Sequence, residues 1–212
     1  MDKLNQGYTK PKGGGVIPKL FYIFCEGAER ERRYFECFEN LDNRISLVIL
    51  PPSKDGGNTS PLGLKERFDI FFESKTINSY DEVWFVFDTD DWGQQITDLR
   101  AFVDTSNQFY AAQSNPCFEV WLYYHFFSEK EDFHDMEVSS VWKPFVDGKI
   151  PGGFDSRVHP FLLASAIANS EGNYLEIDGI PDFRSTQLHF FGTSISEVLE
   201  PKISAIRTRL KL

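Results

Sequence analysis

The chain has 212 residues, 41% of them hydrophobic and 16% aromatic, which is enough to bury a sizeable core and excludes a disordered chain. Its 22 basic and 32 acidic residues give a formal charge of −10, which argues against a protein that coats nucleic acid through lysine and arginine. The same balance allows a protein that meets phosphate through a bound divalent ion, because the ion brings the positive charge.

In chain order, residues 1–17 hold the run Gly13-Gly14-Gly15 and read as a flexible lead-in. Residues 20–25 are continuously apolar, as in a parallel strand covered on both faces. Residues 28–41 read as a helix, with Tyr34, Phe35, Phe38 and Leu41 as its apolar stripe. A second strand, 46–50, stops at Pro51-Pro52, and the polar loop "SKDGGNTS" follows. Ser60 then has the form of an N-cap with Pro61 at the first helical position, and Leu64, Phe68, Phe71 and Phe72 make the buried face. Residues 82–87, "EVWFVF", are a third strand ending in Asp88-Thr89-Asp90-Asp91, with a helix expected over 94–104. Residues 108–112 are a fourth strand. Asn115 reads as an N-cap, with Pro116 opening the very apolar helix "CFEVWLYYHFF".

Four alternations of strand and helix indicate an α/β fold, a mainly parallel sheet flanked by helices with right-handed crossovers. The expected organisation is the lead-in, an α/β domain over 18–128, and a mostly helical C-terminal extension over 129–212 packed on it. In that extension 129–155 is polar and turn-rich, 160–169 is helical, and 194–210 is a helix that Pro201 kinks or splits. No internal repeat is present. Cys25, Cys37 and Cys117 are odd in number and lack metal-type spacing, which fits a reducing cytoplasm rather than disulfides or a zinc site. With no signal-type apolar run and no membrane-length stretch, the expectation is a soluble cytoplasmic protein.

In an open parallel sheet ligands bind beyond the C-terminal ends of the strands. Glu26 ends the first strand there, and Asp88 and Asp90 end the third. Glu31 lies three and four residues before Tyr34 and Phe35 and so shares their inward stripe. Glu119 is the one acid of a greasy helix. Gathering such carboxylates raises each other's pKa unless a cation neutralises them, and hard oxygen donors without His or Cys suit Mg2+ or Mn2+. Each acid also has an ordinary reading. Glu26 could be a turn or cap residue, Asp88–Asp91 an N-cap cluster, and Glu119 a buried structural partner. Glu29 and the arginines around it read as a solvated helix face. His125 and His134 have no Cys or Ser partner in a nucleophilic motif and read as structural or surface residues. Asn58, Ser60 and Asn115 are the polar candidates for substrate contact, with loop polarity or helix capping as the alternative. The loop "KDGGN" lacks the Gly-Lys-Ser/Thr of a Walker phosphate loop.

The segments "FCEGAERERRYF", "WFVFDTDDW" and "SNPCFEVWLYYHF", in this order, resemble the RloB-like family, a branch of the Toprim-type α/β proteins found among bacterial defence systems. The resemblance is good over about 18–128 and weaker to about 200. It implies a metal site in which the strand-end Glu is Glu26, the Asp-x-Asp pair is Asp88 and Asp90, the helix Glu is Glu31, and the acid of "NPCFE" is Glu119. Arg30 stands where relatives have a Thr. The resemblance implies Mg2+-dependent hydrolysis of nucleic-acid phosphodiesters, with Asp88, Asp90 and Glu31 holding metal and Glu26 as ligand or general base, on DNA or RNA. It also implies an ATPase partner and leaves room for a homo-oligomer. The competing readings are a non-catalytic module that binds metal or nucleotide and regulates the ATPase, and a phosphoryl-accepting Asp of receiver type, in which the opening Glu-Gly would have no role.

Overall fold

The computed structural model describes residues 17–52, 59–130 and 138–212. Its apolar runs form β1 (Lys19–Cys25), β2 (Ile45–Leu50), β3 (Glu82–Asp88) and β4 (Phe109–Asn115). These four strands are parallel, in the order β2-β1-β3-β4. Alternation along the strands sorts side chains to two cores, as the pleat requires. Phe21, Ile23, Cys25, Trp84 and Val86 point to one face, and Tyr22, Phe24, Val83, Phe85 and Phe87 to the other. Both faces are covered, which is why β1 and β3 read as unbroken apolar runs.

The second face is covered by α2 (Pro61–Phe72) and α3 (Gln94–Val103). The first face carries α1 (Arg30–Glu36), α4 (Glu119–Tyr124), α5 (Ser139–Lys149), α6 (Leu163–Asn173) and α7 (Leu188–Leu210). Two short strands, β5 (Glu176–Ile177) and β6 (Ile180–Pro181), pair as a small hairpin. Then β7 (Ser185–Thr186) adds an antiparallel fifth strand beside β4. The sheet is therefore mixed, and the C-terminal segment, though mostly helical, contributes to it. No helix among the described residues is long and apolar enough to cross a membrane.

Several expected boundaries shift for local reasons. The first helix is shorter than 28–41. After Glu36 the backbone closes through i→i+3 bonds, Phe38 N–H to Phe35 O and Glu39 N–H to Glu36 O, and Asn40 takes φ 60°. Asn115 is not an N-cap. It is the last residue of β4, it donates through Nδ2 to the Pro181 carbonyl, and a cis Asn115–Pro116 bond follows it. The apolar helix expected from Pro116 is only the six residues of α4, preceded by a tight turn. The segment read as turn-rich holds α5, whose buried Trp142 and Val146, with Ile150 next in the series, have the four-residue spacing of a helix face. The last helix begins at Leu188 rather than 194 and runs as one element through Pro201.

Candidate functional site

The tips of β1 and β3 are fastened together. Glu26 continues the ladder one residue past β1, its N–H donating to the Val86 carbonyl at 2.9 Å. Its Oε2 in turn accepts the Asp88 N–H at 2.8 Å. Asp88, the last residue of β3, is 6% exposed. Its Oδ1 accepts the Phe118 N–H at 2.8 Å, so a carboxylate from a neighbouring strand satisfies one of the orphan donors at the start of α4. That bond brings Glu119, the first residue of α4, to the same sheet edge.

Glu119 is buried. Its Oε1 accepts from Arg30 Nη1 at 2.8 Å, while its Oε2 is buried with no hydrogen-bond partner. Glu31, in the first turn of α1, is buried against Gly27. A Cβ on Gly27 would meet Glu31 Oε2 at 1.9 Å. The glycine of the Glu-Gly pair is thus needed for close approach by a carboxylate. Its φ is not in the left-handed range, so a tight turn is not what requires it. Asp90, in a short 3-10 turn after β3, is exposed and accepts from Ser139 Oγ.

The electrostatics bind these groups into one cluster. Burial pushes Glu26 from 4.5 up to about 7; the Asp88 amide opposes the rise, and the Asp90 and Glu31 charges add to it. Burial also drives Asp88 well above the usual carboxylate range, assisted by Glu26, Glu31 and Glu119 and opposed by Lys143. Glu31 is raised by burial and by Glu119. Among the described residues no three His, Cys, Asp or Glu side chains stand arranged to hold a metal ion. The donor chemistry nonetheless fits a hard divalent cation. The donors are all carboxylates, the cluster's charges help raise the pKa of Glu26, Glu31 and Asp88, and one buried oxygen of Glu119 is orphaned. As the side chains stand, two of the acids are occupied by internal cations, Glu119 by Arg30 and Asp88 by Lys143.

Of the polar candidates for substrate contact, Asn115 ends β4 one residue past Ser114, the partner of Asp88. Ser60 is spent as the cap of α2, its Oγ accepting the Gly63 N–H at 3.2 Å. Asn58 and His134 lie outside the described residues. His125 is buried, with Nδ1 at 2.9 Å from the Trp121 carbonyl and Nε2 at 3.2 Å from the Tyr34 hydroxyl, and burial lowers its pKa to about 3. Three basic residues at the site escaped the sequence reading. Arg30, on the helix face expected to be solvated, holds the buried Glu119 and reaches Asp147 at 3.0 Å. Lys143 arrives on α5, an element that was not anticipated. Arg67 stands beside the buried stripe of α2 and donates to the carbonyls of Cys25 at 2.6 Å and Leu50 at 2.8 Å, at the ends of β1 and β2. Its place between Leu64 and Phe68 was the available signal, because a charge there can reach inward past the stripe.

The family model described as RloB-like protein matches residues 21–173, most of the chain. The chain belongs to the RloB-like family. No curated protein and no solved structure matches it. The family match encloses all five carboxylates and the three basic residues beside them. The three short strands β5, β6 and β7 and the whole of α7 lie beyond it.

Proposed function

We propose that this RloB-like chain is a divalent-metal-dependent nuclease that hydrolyses phosphodiesters of DNA or RNA. The observation that carries this is the convergence of Glu26, Glu31, Asp88 and Glu119, all buried, and the exposed Asp90 at the C-terminal edge of a parallel sheet. A structural role alone gives no reason to bring so many like charges together. Glu31, Asp88, Asp90 and Glu119 would hold Mg2+ or Mn2+, with Glu26 as a further ligand or as the base. Bound there, the ion supplies polarisation of the scissile phosphate and a lowered pKa for an attacking water.

The chain's own groups account for the rest. Glu26, with a pKa of about 7, is matched to taking up a proton near neutral pH. The Asp88 amide fixes one of its oxygens and so aims the carboxylate. Arg30 and Lys143 place positive charge next to the acids, where a phosphate would gain from it. Family membership supports a role in bacterial anti-phage defence with an ATPase partner that restrains the enzyme, in the cytoplasm. The test is incubation of the full chain with plasmid, single-stranded DNA and RNA, in Mg2+ or Mn2+ against EDTA. Cleavage in metal that is absent in EDTA and in Asp90→Asn supports the reading. Metal binding without cleavage of any substrate, with or without the ATPase, would favour the non-catalytic module.

A further inference from the structure

Ser139, Lys143 and Asp147 are spaced four apart on α5, so they share one face of that helix. The neighbouring face, with Trp142 and Val146, is buried in the core. Each of the three polar residues engages the acid cluster. Ser139 Oγ donates to Asp90 Oδ1. Lys143 Nζ stands 3.7 Å from Asp88 Oδ2. Asp147 accepts from Arg30 at 3.0 Å, and the same guanidinium holds Glu119 at 2.8 Å. One helix face therefore touches Asp90, Asp88 and, through Arg30, Glu119.

We propose that this face is a clasp in which Lys143 serves as the resident cation of the metal-free site, so that a divalent ion and Lys143 compete for Asp88. The inference rests on the metal reading above. Its physical core is the count of oxygens on Asp88. Oδ1 already accepts the Phe118 amide at 2.8 Å, so Oδ2, which Lys143 faces, is the oxygen less engaged by the backbone. A divalent ion held by Asp88 would bring a double positive charge against the ammonium, and the two would repel. The Lys143 side chain is 47% exposed, so it can swing into solvent while Trp142 and Val146 keep α5 seated. Asp90 can keep its bond from Ser139 on Oδ1 and turn Oδ2 toward the ion. Metal binding thus exchanges the Lys143–Asp88 ion pair for ion ligation, and the clasp sets the cation concentration at which the site fills.

The test is calorimetric titration of Mn2+ into the full chain at one fixed pH, the same for the unmodified chain and every variant. Lys143→Met, with Lys143→Gln as a second neutral variant, should bind Mn2+ about fivefold more tightly than the unmodified chain, in line with release of a partly exposed ion pair. Lys143→Arg should stay close to the unmodified chain. An independent readout needs no variant. Mn2+ should increase acylation of Lys143 by an amine-reactive reagent, read by mass spectrometry. If the unmodified chain binds Mn2+ but the neutral variants bind equally or more weakly, or Mn2+ protects Lys143, the clasp is overturned and the metal site stands. If the unmodified chain binds no Mn2+, both fall together.

Discussion

At the scale of single residues, Gly27 and Glu26 show two ways in which the Glu-Gly pair serves the cluster. A side chain at position 27 would collide with the Glu31 carboxylate at 1.9 Å, and Glu31 is buried, with little room to retreat. Gly27→Ala should therefore cost about 1–3 kcal/mol, in the range of overpacked sites. Gly27→Ala/Glu31→Ala should recover much of that loss, so urea unfolding of the two single variants and the double would read the coupling. Full additivity would mean that the collision is not the cause. Glu26 makes a prediction in pH. An acid whose folded pKa lies above its unfolded value holds its proton more tightly in the native state. Its contribution is most favourable at low pH and is lost as pH rises from the unfolded pKa through the folded one. For Glu26 that window runs from 4.5 to about 7, and Asp88 and Glu31 act in the same direction. The melting temperature in EDTA should fall as pH is raised across this window, and Glu26→Gln should flatten the fall. A melting temperature that rises over the same interval would mean that the acids are neutralised by partners rather than destabilised by burial. The position of Glu26 was legible because an acid straight after a continuous apolar strand has one place to go, the sheet edge. Its bond to the Asp88 amide was not, because that depends on the register between two strands.

At the scale of elements, the sequence stated α2 well and α4 badly, and the difference lies in where the cap comes from. Ser60 caps α2 from the residue next to it, a local signal. The Phe118 amide at the start of α4 is capped by Asp88, thirty residues earlier and on another strand. With that donor satisfied from a distance, Asn115 was free to finish β4 instead. The same bond separates two roles of Asp88. Asn can still accept from the Phe118 N–H, whereas Ala cannot. In EDTA, Asp88→Asn should be as stable as the unmodified chain or more so, since a self-repelling cluster loses one charge. Asp88→Ala should lose about 0.5–2 kcal/mol through the missing cap. Both should abolish cleavage. Equal stability losses in the two variants, read by chemical unfolding, would show that the charge itself holds α4. The failure to anticipate α5 had a different origin. Trp142, Val146 and Ile150 carry the helical spacing, but Pro144 and Gly148 stand between them and suggest turns. Here packing of an apolar stripe overrides local propensity.

For the whole molecule, the parallel sheet was legible because burial on both faces writes itself as unbroken apolar strands, β1 and β3 above all. The antiparallel β7 was not, because two residues paired to β4 carry no periodic signal. Glu26, Asp88 and Asp90 could be placed at one edge from the strand ends and Glu31 from its helical stripe, while the cations beside the acids, Arg30 and Lys143, are set by tertiary contacts. This division bears on the proposed binding of a polyanion by a chain of charge −10. Without metal, a phosphate approaching the sheet edge meets carboxylates whose nearest cations are already engaged. On the proposed metal reading, one or two divalent ions would reverse the local charge and free Lys143 to face the phosphate. Binding of a short DNA or RNA, measured by fluorescence anisotropy, should therefore require a divalent ion and be lost in EDTA. Few lysine or arginine contacts also predict a shallow dependence on monovalent salt, since the slope of log K against log salt scales with the phosphates that protein cations neutralise. Asp88→Asn combined with Asp90→Asn should remove the metal-dependent binding without unfolding the chain. Tight binding in EDTA with a steep salt slope would place the affinity in the surface arginines instead, and the acid cluster would then lose its role as the point where nucleic acid is held.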